Sequence, residues 1–231
     1  MSAAACVEHA GEVTILRLSA GENRFNPATL GAIVAALDEL QDSDAPGALV
    51  ITGEGKFFSN GLDLDWMGSA PPGGAEEVLQ GLHTLLARLL AFPVATVAAI
   101  NGHAFAGGAM LALACDARVM REDRGYFCLP EVDLGLAFTP GMTALMKARL
   151  SPASAHEAMV TGRRYSAPEA LAAGIVQATA PSERVLETAV GRAAALVGRP
   201  RATVAAIKRG LYAEALAALE QLAPLPENVR G

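Results

Sequence analysis

Asn101-Gly102-His103-Ala104-Phe105-Ala106-Gly107-Gly108 decides how the rest of this chain is read. It follows an apolar run at 94–100, of the kind buried on both faces of a sheet, and Gly107-Gly108 opens a helix expected to reach about Ala114. Upstream, Phe57-Phe58-Ser59-Asn60-Gly61-Leu62-Asp63 carries a second glycine turn, and downstream Leu129-Pro130-Glu131 supplies one carboxylate. Backbone N–H groups in two separate turns can converge on one carbonyl oxygen, and preorganised donors of that kind are often the largest electrostatic contribution to catalysis. Packing explains either turn alone. The pair, with a carboxylate after it, reads as an oxyanion hole and its base.

Working outward, residues 13–18 read as a strand from their β-branched content, and Asn26-Pro27 supplies an N-cap followed by proline at the first helical position. The helix should run to about Gln41, with Leu30, Ile33, Val34, Leu37 and Leu40 on one inward face. Residues 48–52 form the next buried strand, stopped by Gly53, and 117–120 another. Between Gly68 and Gly74 the glycine- and proline-rich stretch predicts a mobile loop before a helix carrying Val78, Leu79, Leu82, Leu85, Leu86 and Leu89. Beyond Pro140 the pattern turns helical at 141–150, 153–161, 168–173, 182–197 and 203–222, with a short strand at Ile175-Val176. The division expected is a core over 1–165 and a mainly helical region over 166–231 that serves packing and assembly.

The chain of 231 residues suits one α/β domain, and 52% hydrophobic with 18% charged residues fits a packed soluble enzyme rather than a disordered chain. A formal charge of −6 gives no global attraction to a phosphate backbone, so no nucleic-acid partner is expected. Cys6, Cys115 and Cys128 are scattered and the four histidines are unpaired at ligand spacing, so no metal site is expected. The dinucleotide, P-loop and nucleophile-elbow patterns are all incomplete. With no signal-like start, no apolar run long enough to cross a bilayer and no peroxisomal ending of the S-K-L type, the expected location is the cytoplasm and no membrane association is expected.

The order and spacing of the three segments resemble the crotonase, or enoyl-CoA hydratase/isomerase, superfamily from about Val13 to about Leu211. The resemblance implies an α/β fold built as a spiral of repeated β-β-α units with a helical C-terminal region, an acyl-CoA thioester substrate, and a homotrimer or hexamer. Leu62 and Gly107 match the two backbone donors of the family's oxyanion hole, and Glu131 matches its acid/base glutamate. Glycine at 107 lets a thioester oxygen approach the backbone, and the helix start adds partial positive charge. Met110 departs from the family's hydratases, which carry a second glutamate there to help orient water.

With one carboxylate, the activity implied is a Δ3,Δ2-enoyl-CoA isomerase of fatty-acid oxidation needing no separate cofactor. Residues 55–64, 24–27 and 121–125 look most like the plant-type isomerases. A hydratase using Asp65 or a repositioned water, another crotonase-type thioester enzyme, and a silent acyl-CoA binder are the alternatives. The resemblance further places Phe58, Asn60, Gly61, Asp63, Gly108 and Met110 around the substrate, with Arg24, Lys56 and, contributed by a neighbouring subunit, Lys208 as candidate phosphate contacts. Trp66, with Leu64 and Met67, is expected either to wall the acyl pocket or to serve the core alone. Turn hydrogen bonds suffice to explain Asp63 and Asp116, and His103 lies at a position that the family varies.

Overall fold

The computed structural model describes residues 4–42 and 47–221. The chain opens with an antiparallel hairpin of β1 (Ala5–Ala10) and β2 (Val13–Leu18), followed by α1 (Pro27–Asp42) and β3 (Ala48–Gly53). Next come β4 (Phe57–Ser59), the single-turn helix α2 (Leu64–Gly68) and the long α3 (Gly74–Leu90). A second passage of β5 (Ala95–Ile100), β6 (His103–Phe105) and α4 (Gly107–Ala114) repeats the strand, short strand, helix order; β7 (Ala117–Arg121) and β8 (Phe127–Cys128) begin a third. The later part holds α5 (Pro140–Arg149), α6 (Pro152–Thr161), α7 (Ala167–Ala172), β9 (Ala178–Ala180), α8 (Val185–Ala194), α9 (Arg201–Leu211) and α10 (Ala213–Glu220).

Two sheets result. The larger has six strands in the order β1-β2-β3-β5-β7-β9, parallel from β2 onward, and the smaller joins β4, β6 and β8 in parallel. The continuous apolar runs belong to the larger sheet because both of its faces are covered. Along β3, Leu49 and Ile51 enter the core that includes α1, α3 and α4, while Ala48 and Val50 enter a second core sealed by Val185, Ala189 and Ala193 of α8. Alternate side chains thus face different helices, leaving no solvent-facing position in the strand.

The smaller sheet positions the site. Its strands are two or three residues long, and each is followed directly by one of the three segments singled out in the sequence. Asn60–Asp63 leave β4, Ala106 and Gly107 leave β6, and Leu129–Glu131 leave β8. Because the strands are parallel and adjacent, their carboxyl ends lie side by side and bring together residues up to about 70 positions apart in the sequence.

Three expectations are corrected. Ile175 and Val176 form no strand: both amides donate to the Ala170 carbonyl at the end of α7, so they are used in stopping a helix, and pairing begins only at Ala178. The helix expected over 182–197 is a 3₁₀ turn at Ser182–Arg184 followed by α8. The one expected over 203–222 breaks at Tyr212, whose backbone (φ −111°, ψ 21°) leaves helical geometry while its hydroxyl accepts from Arg149 Nη1. Residue 222 lies outside the described residues.

Candidate active site

Gly61 has φ +77°, a left-handed conformation that costs glycine little. Its carbonyl accepts from the Phe25 amide at 2.7 Å and the Asp63 amide donates to the Phe25 carbonyl at 3.0 Å, so Phe25 grips the turn on both sides of Leu62. The Leu62 amide between them has no acceptor within the protein among the described residues. Across from it, Ala106 at φ +50° and ψ −124° occupies strained backbone for a residue with a Cβ, and turns the chain from β6 into α4. Gly107 starts α4 with no side-chain cap, so its amide is likewise without an acceptor.

The two turns touch. A Cβ on Gly61 would lie 2.9 Å from the Gly107 nitrogen, and one on Gly108 would lie 2.3 Å from the Ser59 carbonyl oxygen. Close backbone approach, more than loop flexibility, explains the glycines. Asn23 holds the other side of β4: its buried amide donates to the Phe57 and Phe58 carbonyls, and its own carbonyl accepts from Ser59 Oγ.

Glu131 sits in a 3₁₀ turn at Pro130–Val132, fixed by amides of Leu134 and Leu136 that donate to its carbonyl. Its side chain is 7% exposed and Oε2 has no hydrogen-bond partner. Burial pushes its pKa up to about 7, opposed only by a hydrogen bond from its own backbone. A carboxyl in this state holds its proton near neutrality and can still release it.

Leu62, Gly107, Met110 and Glu131 all border one cavity of about 400 Å³, whose other apolar walls include Leu79, Leu136 and Met142. That volume and lining suit a small organic ligand. Met110 is 1% exposed and presents a thioether where a second acid would have to stand. Asp65 also borders the cavity, but its carboxylate is held by Arg24 Nη1 at 2.6 Å and its side chain is mostly exposed.

The remaining sequence candidates divide. Arg24 and Asn60 line the cavity, although Arg24 is paired with Glu22 as well as Asp65, and Asn60 donates to Glu22 at 2.9 Å. Gly61 and Gly108 act through backbone packing just behind the wall. Phe58 is fully buried in the core, and Asp63 caps α2 by accepting from the Trp66 amide. Of the two roles expected for Trp66, the cavity wall is ruled out: its ring lies toward Gly74, and Leu64 and Met67 form that wall. Lys56 is exposed beside the Phe57 ring and away from the cavity wall.

Lys208 is a correction. Its ammonium is buried and donates to the Phe92 and Val94 carbonyls, each at 3.0 Å, and to Asp116 at 2.7 Å. All three donors are spent on internal acceptors, which leaves none for a phosphate. Asp116 also accepts from the Thr96 amide at 2.8 Å, joining α9 to the start of β5.

Sequence reasoning missed Thr139 and Arg164, both of which line the cavity. Thr139 caps α5, and its hydroxyl lies 2.9 Å from Nε2 of the buried His83. The Thr139-Pro140 pair carried a helix-start signal, but nothing in it pointed toward the site. Among the described residues, no three His, Cys, Asp or Glu side chains gather where they could hold a metal ion, and no helix is long and apolar enough to cross a membrane.

Backbone donors at the ends of β4 and β6, a carboxyl after β8 and the repeated strand-strand-helix passage together define a crotonase-fold enzyme. The family model for enoyl-CoA hydratase/isomerase matches residues 9–226, and the chain belongs to that family. It is 36% identical to enoyl-CoA delta isomerase 3 of Arabidopsis thaliana, with 90% of this chain and 92% of the relative covered. It is 38% identical to a putative enoyl-CoA hydratase of Thermus thermophilus over a shorter stretch, covering 78% of this chain and 72% of the relative. Among solved structures, an Mtb enoyl-CoA isomerase superimposes with a TM-score of 0.87 at 32% identity, covering 95% of each chain.

Proposed function

We propose that this enzyme converts 3-enoyl-CoA into trans-2-enoyl-CoA by a proton shuttle through Glu131. The observation that carries the reading is one buried carboxyl, its Oε2 without a partner, in an apolar cavity where the second hydratase position is Met110. In its ionised form Glu131 takes the proton from C2 of the substrate. The released electron pair becomes a dienolate, with negative charge on the thioester oxygen. The amides of Leu62 and Gly107 receive that oxygen, and the partial positive charge at the start of α4 stabilises it further. Glu131 then returns the proton to C4, the carbonyl re-forms, and the double bond lies between C2 and C3. No water, metal or redox group enters this balance.

A hydratase must deliver water to C3 and move its protons, a task eased by a second acid. Asp65 is the other acidic residue in the cavity wall, but Arg24 holds it as an ion pair. The 36% identity to an Arabidopsis enoyl-CoA delta isomerase over nearly the full length supports the same choice.

Incubating the protein with a 3-enoyl-CoA and, separately, with a 2-enoyl-CoA tests the proposal. The first should yield the conjugated thioester, and Glu131→Gln should slow that conversion at least about a hundredfold. Hydration of the 2-enoyl substrate with no shift of the 3-enoyl substrate would overturn it.

A further inference from the structure

We propose that Arg164 is the residue through which the cavity holds an anionic group of its substrate, a carboxylate or a phosphate. This inference rests on the acyl-CoA reading above and adds a second recognition point to it.

Arg164 is exposed and borders the cavity that contains Glu131. It is brought there by the antiparallel bridge between Phe127 and Tyr165, whose reciprocal amide bonds of 2.9 and 2.8 Å tie the segment before α7 to β8. Its guanidinium lies 5.8 Å from the Phe105 ring centroid, so one planar face is supported by an aromatic side chain of β6.

The other cations considered for this role are already committed or lie elsewhere. Arg24 is paired with Glu22 and Asp65, Lys208 is buried against Asp116, and Lys56 lies away from the cavity wall. Arg164 forms no ion pair among the described residues.

Glu131 lines the same cavity as Arg164, while on the His103 side the neighbouring charges are positive. His103, packed among Phe57, Phe105 and Tyr126, has a buried Nδ1 without a partner. Its pKa is lowered first by burial and then by the charges of Lys56, Arg164 and Arg124, with no carboxylate opposing them. A guanidinium with an aromatic support and no ion pair, bonded to the Cys128 side chain, keeps further N–H donors for a carboxylate or phosphate.

Calorimetric titration with three unreactive thioesters separates the two sources of that anion. Hexanoyl-CoA carries the phosphates, hexanoyl-pantetheine lacks them, and adipoyl-CoA adds a carboxylate at the far end of the acyl chain. Arg164→Gln should weaken at least one of the CoA thioesters by about tenfold, as expected for the loss of one charge-assisted contact, while leaving hexanoyl-pantetheine within twofold. Weakening of hexanoyl-CoA identifies a phosphate. Weakening of adipoyl-CoA alone identifies the acyl carboxylate. Arg164→Lys should recover part of the affinity by keeping the charge.

Equal affinities of wild type and Arg164→Gln for all three ligands would overturn this inference alone. So would equal weakening of all three, including hexanoyl-pantetheine. A wild-type protein that binds none of them would overturn the acyl-CoA reading and this inference with it.

Discussion

Glu131 is poorly solvated, and its chemistry depends on that. Apolar walls and the 3₁₀ turn keep water from the carboxyl, so the charged form loses hydration without gaining a cation in return, and the pKa rises to about 7. The proposed reaction begins with the ionised form. On that account kcat/KM for a 3-enoyl-CoA rises with pH and levels off, with an apparent pKa near 7. A rising limb near the ordinary glutamate value would mean that the free enzyme solvates the group. The same shift works against stability: the folded state prefers the protonated acid, so its stabilising contribution is complete below the ordinary carboxylate pKa and is lost as pH rises through about 7. Glu131 was legible in the sequence because the Pro130-Glu131 pair follows both glycine turns at family spacing. Arg164 was not, because its place in the cavity depends on a bridge between Phe127 and Tyr165, which no local pattern announces.

The well-read elements were those long enough to carry a period. Strand β2 and helix α4 fall where the apolar pattern and glycines place them, and α1 extends one residue beyond its expected end. Strands β4, β6 and β8 were unreadable as strands, since two or three residues cannot show an alternation. Their glycine-bearing exits were readable, which is why the site could be located without the small sheet that builds it. Helix α9 was misread for a different reason. Lys208 looks like a solvent-facing cation in an amphipathic helix, but Asp116 and two carbonyls more than 90 positions away bury it. Lys208→Met should therefore lower stability by about 3 kcal/mol in denaturant titration, because Asp116 loses its ionic partner, and leave KM within twofold. A stable variant with a strongly raised KM would return Lys208 to the substrate.

At the scale of the whole molecule, the larger sheet and its helices supply rigidity, and the smaller sheet spends it on one cavity. Both cores press on β3 and β5, whose every residue is buried, so the exits of the small sheet cannot drift far. This rigidity sustains Ala106 at a positive φ and keeps the Leu62 and Gly107 amides without protein acceptors. The fold class was readable from the alternation of strands and helices. The mutual placement of those amides was not, because it depends on parallel pairing across the chain. The most direct test is the infrared spectrum of a thioester labelled with ¹³C at its carbonyl and bound to the slowed variant Glu131→Gln. Two converging N–H donors should move the carbonyl band to lower frequency than in water. A band at or above its position in water would contradict the account.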